Sequence, residues 1–276
     1  MTSEVGNLEQ DRVSGGPTAR AALRRRLREH FPIIIDLVVI AGLWQLSTLF
    51  LPPIVAPSLQ SIGAALWNIF SDPQNLTSLI TTGVRVFIAL IIAFAGGIIL
   101  GLLMGSLDSV RTYIKPLLYV IQGIPGLSWV VFAVIWFSQA ELRIGFVLVI
   151  ITLPAFALYI DSAVRAVSLD LLQLAQAFRA SRIQRFRMVI LPAIIPEILS
   201  AWTVNLGNGV RVAVVAELMG STVGVGFQLL QAQSVFNMAA AIAWTLSLVG
   251  LLLLYQGIIL FAERKFLAWR PKSELR

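Results

Sequence analysis

The chain has 276 residues, of which 58% are hydrophobic and only 13% charged, with a formal net charge of +7. Soluble domains run at about 45–50% apolar and about 25% charged, so a sizeable soluble domain is excluded and apolar runs of roughly 20 residues read as membrane spans. Cysteine is absent, which excludes disulfides, thiolate metal sites and a thiol nucleophile.

Residues 1–30 form a basic N-terminal tail that ends in Arg24, Arg25, Arg26, Arg28 and His30. The stretch to about Ala22 is expected to lack structure. No small-residue cleavage site of the kind a signal peptide needs is present, so Phe31–Leu51 reads as an uncleaved first span. The single histidine, beside the arginines, reads as an interfacial residue rather than a metal ligand. Pro52, Pro53 and Pro57 give an extended connection, and Leu59–Phe70 predicts a short amphipathic helix with Trp67 suited to the membrane interface.

The second span is predicted over Leu79–Leu107, longer than a bilayer requires. Its glycines Gly97, Gly101 and Gly105 are four apart, which places them on one helix face and admits a neighbouring backbone closely. Further spans are predicted at Ile114–Phe137, Ile144–Val164, Val189–Met219 and Ala239–Phe261. Between the last two, Gly220–Gly226 (GSTVGVG) reads as a flexible loop, followed by a polar stretch with Gln228, Gln231, Gln233 and Asn237. The fold class is therefore an all-α membrane protein with six transmembrane helices over residues 31–263 and a basic C-terminal tail at 264–276.

Basic residues fix the orientation. Eighteen lie in the N-terminal tail, the 108–115 connection, the connection between spans four and five, and the C-terminal tail, whereas the opposite connections hold only Arg143. Both termini are thus expected on the cytoplasmic side. The excess positive charge is a topology signal with affinity for anionic lipid, not a nucleic-acid footprint.

Charges inside spans are costly and usually face protein or water. Arg85, Arg211 and Glu217 are candidates for a translocation path or gate, with structural ion pairing as the alternative. Arg211 and Glu217, six apart, need separate partners; Asp161 and Arg165, four apart, pair on one face. No GxxxxGK loop, HExxH motif or serine with a histidine or lysine partner is present, so no catalytic residues, no metal site and no bound cofactor are expected. No chain of acids and histidines runs along any span, which disfavours an ion-driven pump.

The connection between spans four and five holds the most informative stretch, QLAQAFRASRIQRFRMVILP at Gln173–Pro192. Arg179, Arg182, Arg185 and Arg187 keep it out of lipid. Leu169–Phe178 predicts a helix whose Leu171, Leu172, Leu174, Ala175 and Phe178 share an apolar face, and Ser181–Ile190 predicts a second. Two short helices tethered to two spans make a lever over about residues 168–190. A surface-lying amphipathic helix is the alternative.

This stretch resembles the EAA loop of permease subunits of bacterial ABC importers. Gln173, Leu174 and Ala175 fall on the E-A-A, Arg179 on the glycine, Val189 on the isoleucine, and Leu191 and Pro192 on the L-P. Ala180, Ser181, Arg182, Gln184, Phe186 and Arg187 follow the usual continuation, while Gln173, Leu174 and Arg179 depart from it. The resemblance covers about residues 31–270. It is closest to the nitrate/sulfonate/taurine (SsuC/TauC-like) group, through Leu51-Pro52-Pro53, Ile124-Pro125, Ile135-Trp136-Phe137, Val215–Leu218 with Gly224–Gly226, and Glu263-Arg264 with Trp269-Arg270.

The resemblance implies a type I importer permease of the bacterial inner membrane, with a cytoplasmic coupling helix between spans four and five. Gln173, Leu174, Ala175, Phe178, Arg179, Ala180, Ser181, Arg182, Leu191 and Pro192 would contact an ATPase. The partners implied are two ATP-binding subunits, which bind the ATP and magnesium, a second permease copy or homologue, and an outer solute-binding protein. The solute implied is a small anion, moved by alternating access. A gradient-driven carrier and a non-transporting membrane scaffold are the other readings.

Overall fold

The computed structural model describes residues 19–266, and every regular element among them is helical. Residues 1–18 and 267–276, with most of both expected tails, lie outside the described residues. The chain divides into two compact units, Met1–Leu59 and Gln60–Arg276.

In the first unit, helix α1 (Ala19–Ser47) begins well before Phe31. The expectation of an unstructured tail is corrected over Ala19–Ala22, which is alanine and arginine, both strong helix formers. The apolar part described is Ile35–Ser47. The proline-rich connection is turned rather than extended. Val55 and Ala56 N–H both donate to Pro52 O at 2.9 and 3.0 Å. Trp44 Nε1–H donates to Pro57 O at 3.0 Å, and Gln45 Oε1 accepts from Leu59 N–H at 3.2 Å, so the segment doubles back on α1.

The second unit opens with α2 (Leu59–Ser71), which keeps Trp67 exposed. Asp72 then caps α3 (Pro73–Ser106), accepting from Gln74 N–H at 2.9 Å, with Pro73 at the position where a missing donor does no harm. Only Leu107 separates α3 from α4 (Asp108–Gly123), and α5 (Gly126–Trp136) follows at once. Next come α6 (Ala140–Arg165), α7 (Leu169–Ala177), α8 (Arg182–Arg185), α9 (Leu191–Gly220), α10 (Val225–Ser234) and α11 (Met238–Phe266). Helix α10 occupies the stretch expected to be merely polar.

Helices α3 and α6 form the spine, and the spaced glycines explain why. A Cβ on Gly101 would sit 2.6 Å from Ile160 Cβ, and one on Gly105 2.7 Å from Val164 Cβ; Gly97 abuts Phe156 in the same way. With no side chains on that face the two backbones come together, as dispersion-driven packing in lipid favours. Helix α9 completes the core. Phe94, Phe156 and Trp202, one from each helix, meet edge-to-face with centroids 5.2–5.4 Å apart.

Among the described residues, four helices are long and apolar enough to cross a membrane: α3, α6, the continuous run Arg182–Gly220, and Met238–Arg264. The expected third span is not one straight helix. It breaks between α4 and α5 with a 92° bend. Pro125 supplies no N–H to continue the ladder and disfavours helical geometry at Ile124, which takes an extended conformation (φ −77°, ψ 126°). Counted as one broken span, the pair brings the total to five.

Candidate functional site

The candidate gate residues separate into a clamp and a lone charge. Near the end where α9 finishes, Glu217 is fully buried. Its Oε1 accepts from Arg85 NH1 at 2.7 Å, both of its oxygens lie 2.9 Å from Thr82 Oγ1, and Oε2 accepts from Gly226 N–H at 2.9 Å. A buried carboxylate is tolerable only when so satisfied. Arg85 in turn donates through Nε to Glu141 at 2.9 Å and pairs with it through NH2 as well; NH1 also reaches Val223 O at 2.7 Å. One guanidinium thereby ties α3, α6, α9 and the Ser221–Gly224 turn together.

That turn is fixed, correcting its expected flexibility. Gly224 adopts φ +123°, and a Cβ there would overlap the Glu217 carboxylate. Gly226 is equally confined, since its Cβ would fall 2.6 Å from Glu217 Cβ. Val225 N–H donates to Thr82 Oγ1 at 2.8 Å, so this hydroxyl receives one bond and passes another to Glu217. The glycines are there for close approach, not mobility. Thr82 and Glu141 were missed from sequence. An uncompensated arginine in a span was the available signal that nearby acids and hydroxyls had to be sought.

Arg85 and Glu141 also form the polar wall of a groove of about 770 Å³ between α3 and α6, otherwise lined by apolar side chains such as Val84, Ile88, Leu142 and Phe146. Arg211 stands apart. It is exposed on α9, beside a cavity of about 430 Å³ bounded by Leu229 of α10 and Thr245 and Leu252 of α11, and it makes no ion pair or hydrogen bond among the described residues.

At the other end, Asp161 is fully buried and faces three cations: Arg111 at 3.1 Å, Lys115 at 3.6 Å and Arg165 at 3.2 Å. Arg165 reaches on to Asp108 at 2.6 Å and Met104 O at 3.0 Å. The expected Asp161–Arg165 pair is thus one edge of a network that fastens α4 and the end of α3 to α6.

The stretch expected to act as a lever follows directly. Helix α7 ends in a Schellman motif, with Ala180 N–H on Ala175 O at 3.0 Å and Arg179 N–H on Gln176 O at 2.8 Å. Arg179 takes the left-handed position at φ 55°, where glycine would be unstrained. Ser181 then caps α8 through a capping box with Gln184. The second arm is not a separate helix, which corrects the two-helix reading. Residues Phe186–Ile190 form a π turn, with Leu191 N–H bonded to Phe186 O, and run straight into α9. Pro192 lacks the N–H that an ordinary helical ladder would use there.

The α7 apolar face is also divided. Leu172 packs with the buried Ala163, Val167 and Ile194, whereas Leu171, Leu174 and Phe178 are 52%, 55% and 80% exposed. Gln173, Arg179, Ser181 and Arg182 are exposed around them, and Ala175, Ala180 and Pro192 are half-buried. Leu191 is 37% exposed at the start of α9.

No group of histidine, aspartate and glutamate suited to a metal occurs among the described residues. The helical arrangement is shared with chains of solved ABC transporters. It is shared with a chain of a bacterial ABC transporter involved in the import of the acidic polysaccharide alginate (TM-score 0.60, 16% identity, 91% of this chain and 100% of that one). It is shared also with a chain of an amino acid ABC transporter (TM-score 0.52, 21% identity, 66% of this chain and 92% of that one).

The chain belongs to the family of binding-protein-dependent transport system inner membrane components, which matches residues 97–267. It is 32% identical over 197 residues to the taurine transport system permease protein TauC of Escherichia coli K12, covering 68% of each chain. It is 29% identical over 180 residues to the putative aliphatic sulfonates transport permease SsuC of Bacillus subtilis 168, covering 64% of each. A nitrate import permease, NrtB of Leptolyngbya laminosa, is 25% identical over 236 residues, covering 82% of this chain and 84% of that one. These relatives place it in the nitrate/sulfonate/taurine group of ABC importer permeases.

Proposed function

We propose that the chain is the membrane permease of an ATP-driven importer for a small oxyanion of the sulfonate or nitrate kind, and that α7–α8 is where an ATP-binding subunit docks. The observation that carries this is the lever. Leu171, Leu174 and Phe178 stand exposed on a segment ringed by Arg179, Arg182 and Arg187, and apolar side chains so exposed on a charged loop call for a protein cleft. ATP and magnesium bind to that partner, and this chain contributes no catalytic group. The lever end faces the cytoplasm, and the Arg85–Glu217 end faces outward, toward a solute-binding protein. The exposed Val235 and Phe236 belong to that outward end.

The continuity of Arg182–Gly220 supports alternating access. Closure of the ATPases displaces α8, and a continuous helix delivers that displacement to Glu217, about 50 Å away at 1.5 Å per residue. The Glu217–Arg85–Glu141 clamp then acts as the outer gate, made or broken as α9 shifts against α3 and α6. A second permease, as a copy or homologue, completes the path.

The test is purification from native membranes in mild detergent, with mass spectrometry of what accompanies the chain. A stoichiometric ATP-binding subunit is expected. Its absence, even after crosslinking, would favour a gradient-driven carrier or a scaffold.

A further inference from the structure

Helix α9 carries polar side chains where a membrane helix should not. At 100° per residue, Glu197, Ser200, Thr203, Gly207, Asn208 and Arg211 share one face about 140° wide. Within that face Glu197, Ser200, Thr203 and Arg211 are exposed and Gly207 and Asn208 half-buried. Val204, the large apolar residue among them, is 52% exposed. The Ser200 and Thr203 hydroxyls bond back to Pro196 O and Leu199 O, but Glu197, Asn208 and Arg211 have no hydrogen-bonding or ionic partner among the described residues. With α9 centred in the bilayer, Asn208 and Arg211 lie within about 8 Å of the midplane, inside a hydrocarbon layer ~30 Å thick. Lipid is excluded as the neighbour of such a face.

A second copy alone does not satisfy it either. A two-fold axis along the membrane normal keeps both copies facing the same way and returns every residue to its own depth. It brings Arg211 level with Arg211, never against Glu197, which sits about 21 Å further along the helix. Between two such copies the guanidinium is left open to an anion that comes and goes. Arg85 cannot take that role, because Glu217 and Glu141 already neutralise it.

We infer that this face of α9 lines the water-filled solute path and that Arg211 is the residue that selects for an anionic solute. This rests on the permease reading above and adds to it the wall and the charge. A planar guanidinium with five donors suits the paired oxygens of a sulfonate, carboxylate or nitrate. The adjoining cavity of about 430 Å³ has room for a solute of a few heavy atoms.

The absence of cysteine from the chain makes the test direct. Val204→Cys and Asn208→Cys are introduced singly into the full complex in membranes. Each is treated with anionic ethylsulfonate and cationic trimethylammonium methanethiosulfonate, with rates normalised to a free thiol. Both positions should be modified, and the anionic reagent should be favoured roughly ten-fold, the low end of field focusing in an apolar-walled cleft. Arg211→Gln should abolish that preference and Arg211→Lys should restore most of it, a split that loss of packing would not produce. No modification of either cysteine in any nucleotide state, or a preference unchanged by Arg211→Gln, overturns the inference. If the same complexes retain an ATP-binding subunit and ATP-dependent uptake, only the α9 assignment falls; if no such subunit is present, the permease reading falls with it.

Discussion

Arg85 and Glu217 are 132 positions apart in sequence, yet the guanidinium NH1 lies 2.7 Å from the carboxylate Oε1, with the Glu217 side chain wholly buried and that of Arg85 9% exposed. Two charges in an apolar bundle are held only because each is fully partnered, and the partners are unequal. Among the described residues, Glu217 has Arg85 as its one cation. Arg85 keeps Glu141 if Glu217 is lost.

The inequality predicts an asymmetric mutant cycle. Arg85→Leu strands a buried carboxylate and should cost about 3–5 kcal/mol. Glu217→Leu should cost distinctly less, and the double variant less than the sum of the two. Thermal unfolding of the purified complex in one detergent gives all three values. Equal single-variant costs that simply add would mean that the pair is not coupled.

Gly224→Ala should destabilise the protein by about 1–3 kcal/mol, since it forces a side chain into a left-handed position against the Glu217 carboxylate. The accompanying sign is faster hydrogen exchange at Gly226 N–H, which that carboxylate accepts. Protected exchange at Gly226 in the variant would show that the turn has room to adjust.

Arg179→Gly runs the other way. A non-glycine residue in the left-handed region costs about 1–2 kcal/mol, so the glycine variant should slow hydrogen exchange across the Schellman turn at Arg179 and Ala180. Faster exchange there would mean that the arginine side chain, not the backbone, holds the turn.

Much of this was legible before any coordinates. Apolar runs of roughly 20 residues gave the long spans, the four-residue glycine spacing marked the α3 face that admits a neighbouring backbone, and the alignment of Arg179 with a glycine position marked the residue that proves to have positive φ. What could not be read depended on distance in sequence. Glu217 meets Thr82 and Arg85 only after folding, so Gly224 and Gly226 looked like a flexible tether when they are the floor of a buried carboxylate. The 92° break at Ile124-Pro125 hid inside a stretch that reads as one span, because hydropathy is blind to a missing N–H. The π turn ahead of Pro192 was missed in the same way, so one continuous helix looked like two.

The central claim is that exposed apolar side chains on α7 and its turn transmit ATP hydrolysis to transport, and Phe178→Asp with Ala180→Asp tests it most directly. The complex is reconstituted in proteoliposomes with its ATP-binding subunits and solute-binding protein, and ATP hydrolysis and solute uptake are measured on the same sample. Uptake should fall by at least ten-fold while the permease stays in the membrane and hydrolysis no longer responds to the loaded binding protein. Uptake equal to that of the unaltered chain would contradict the coupling role of the lever.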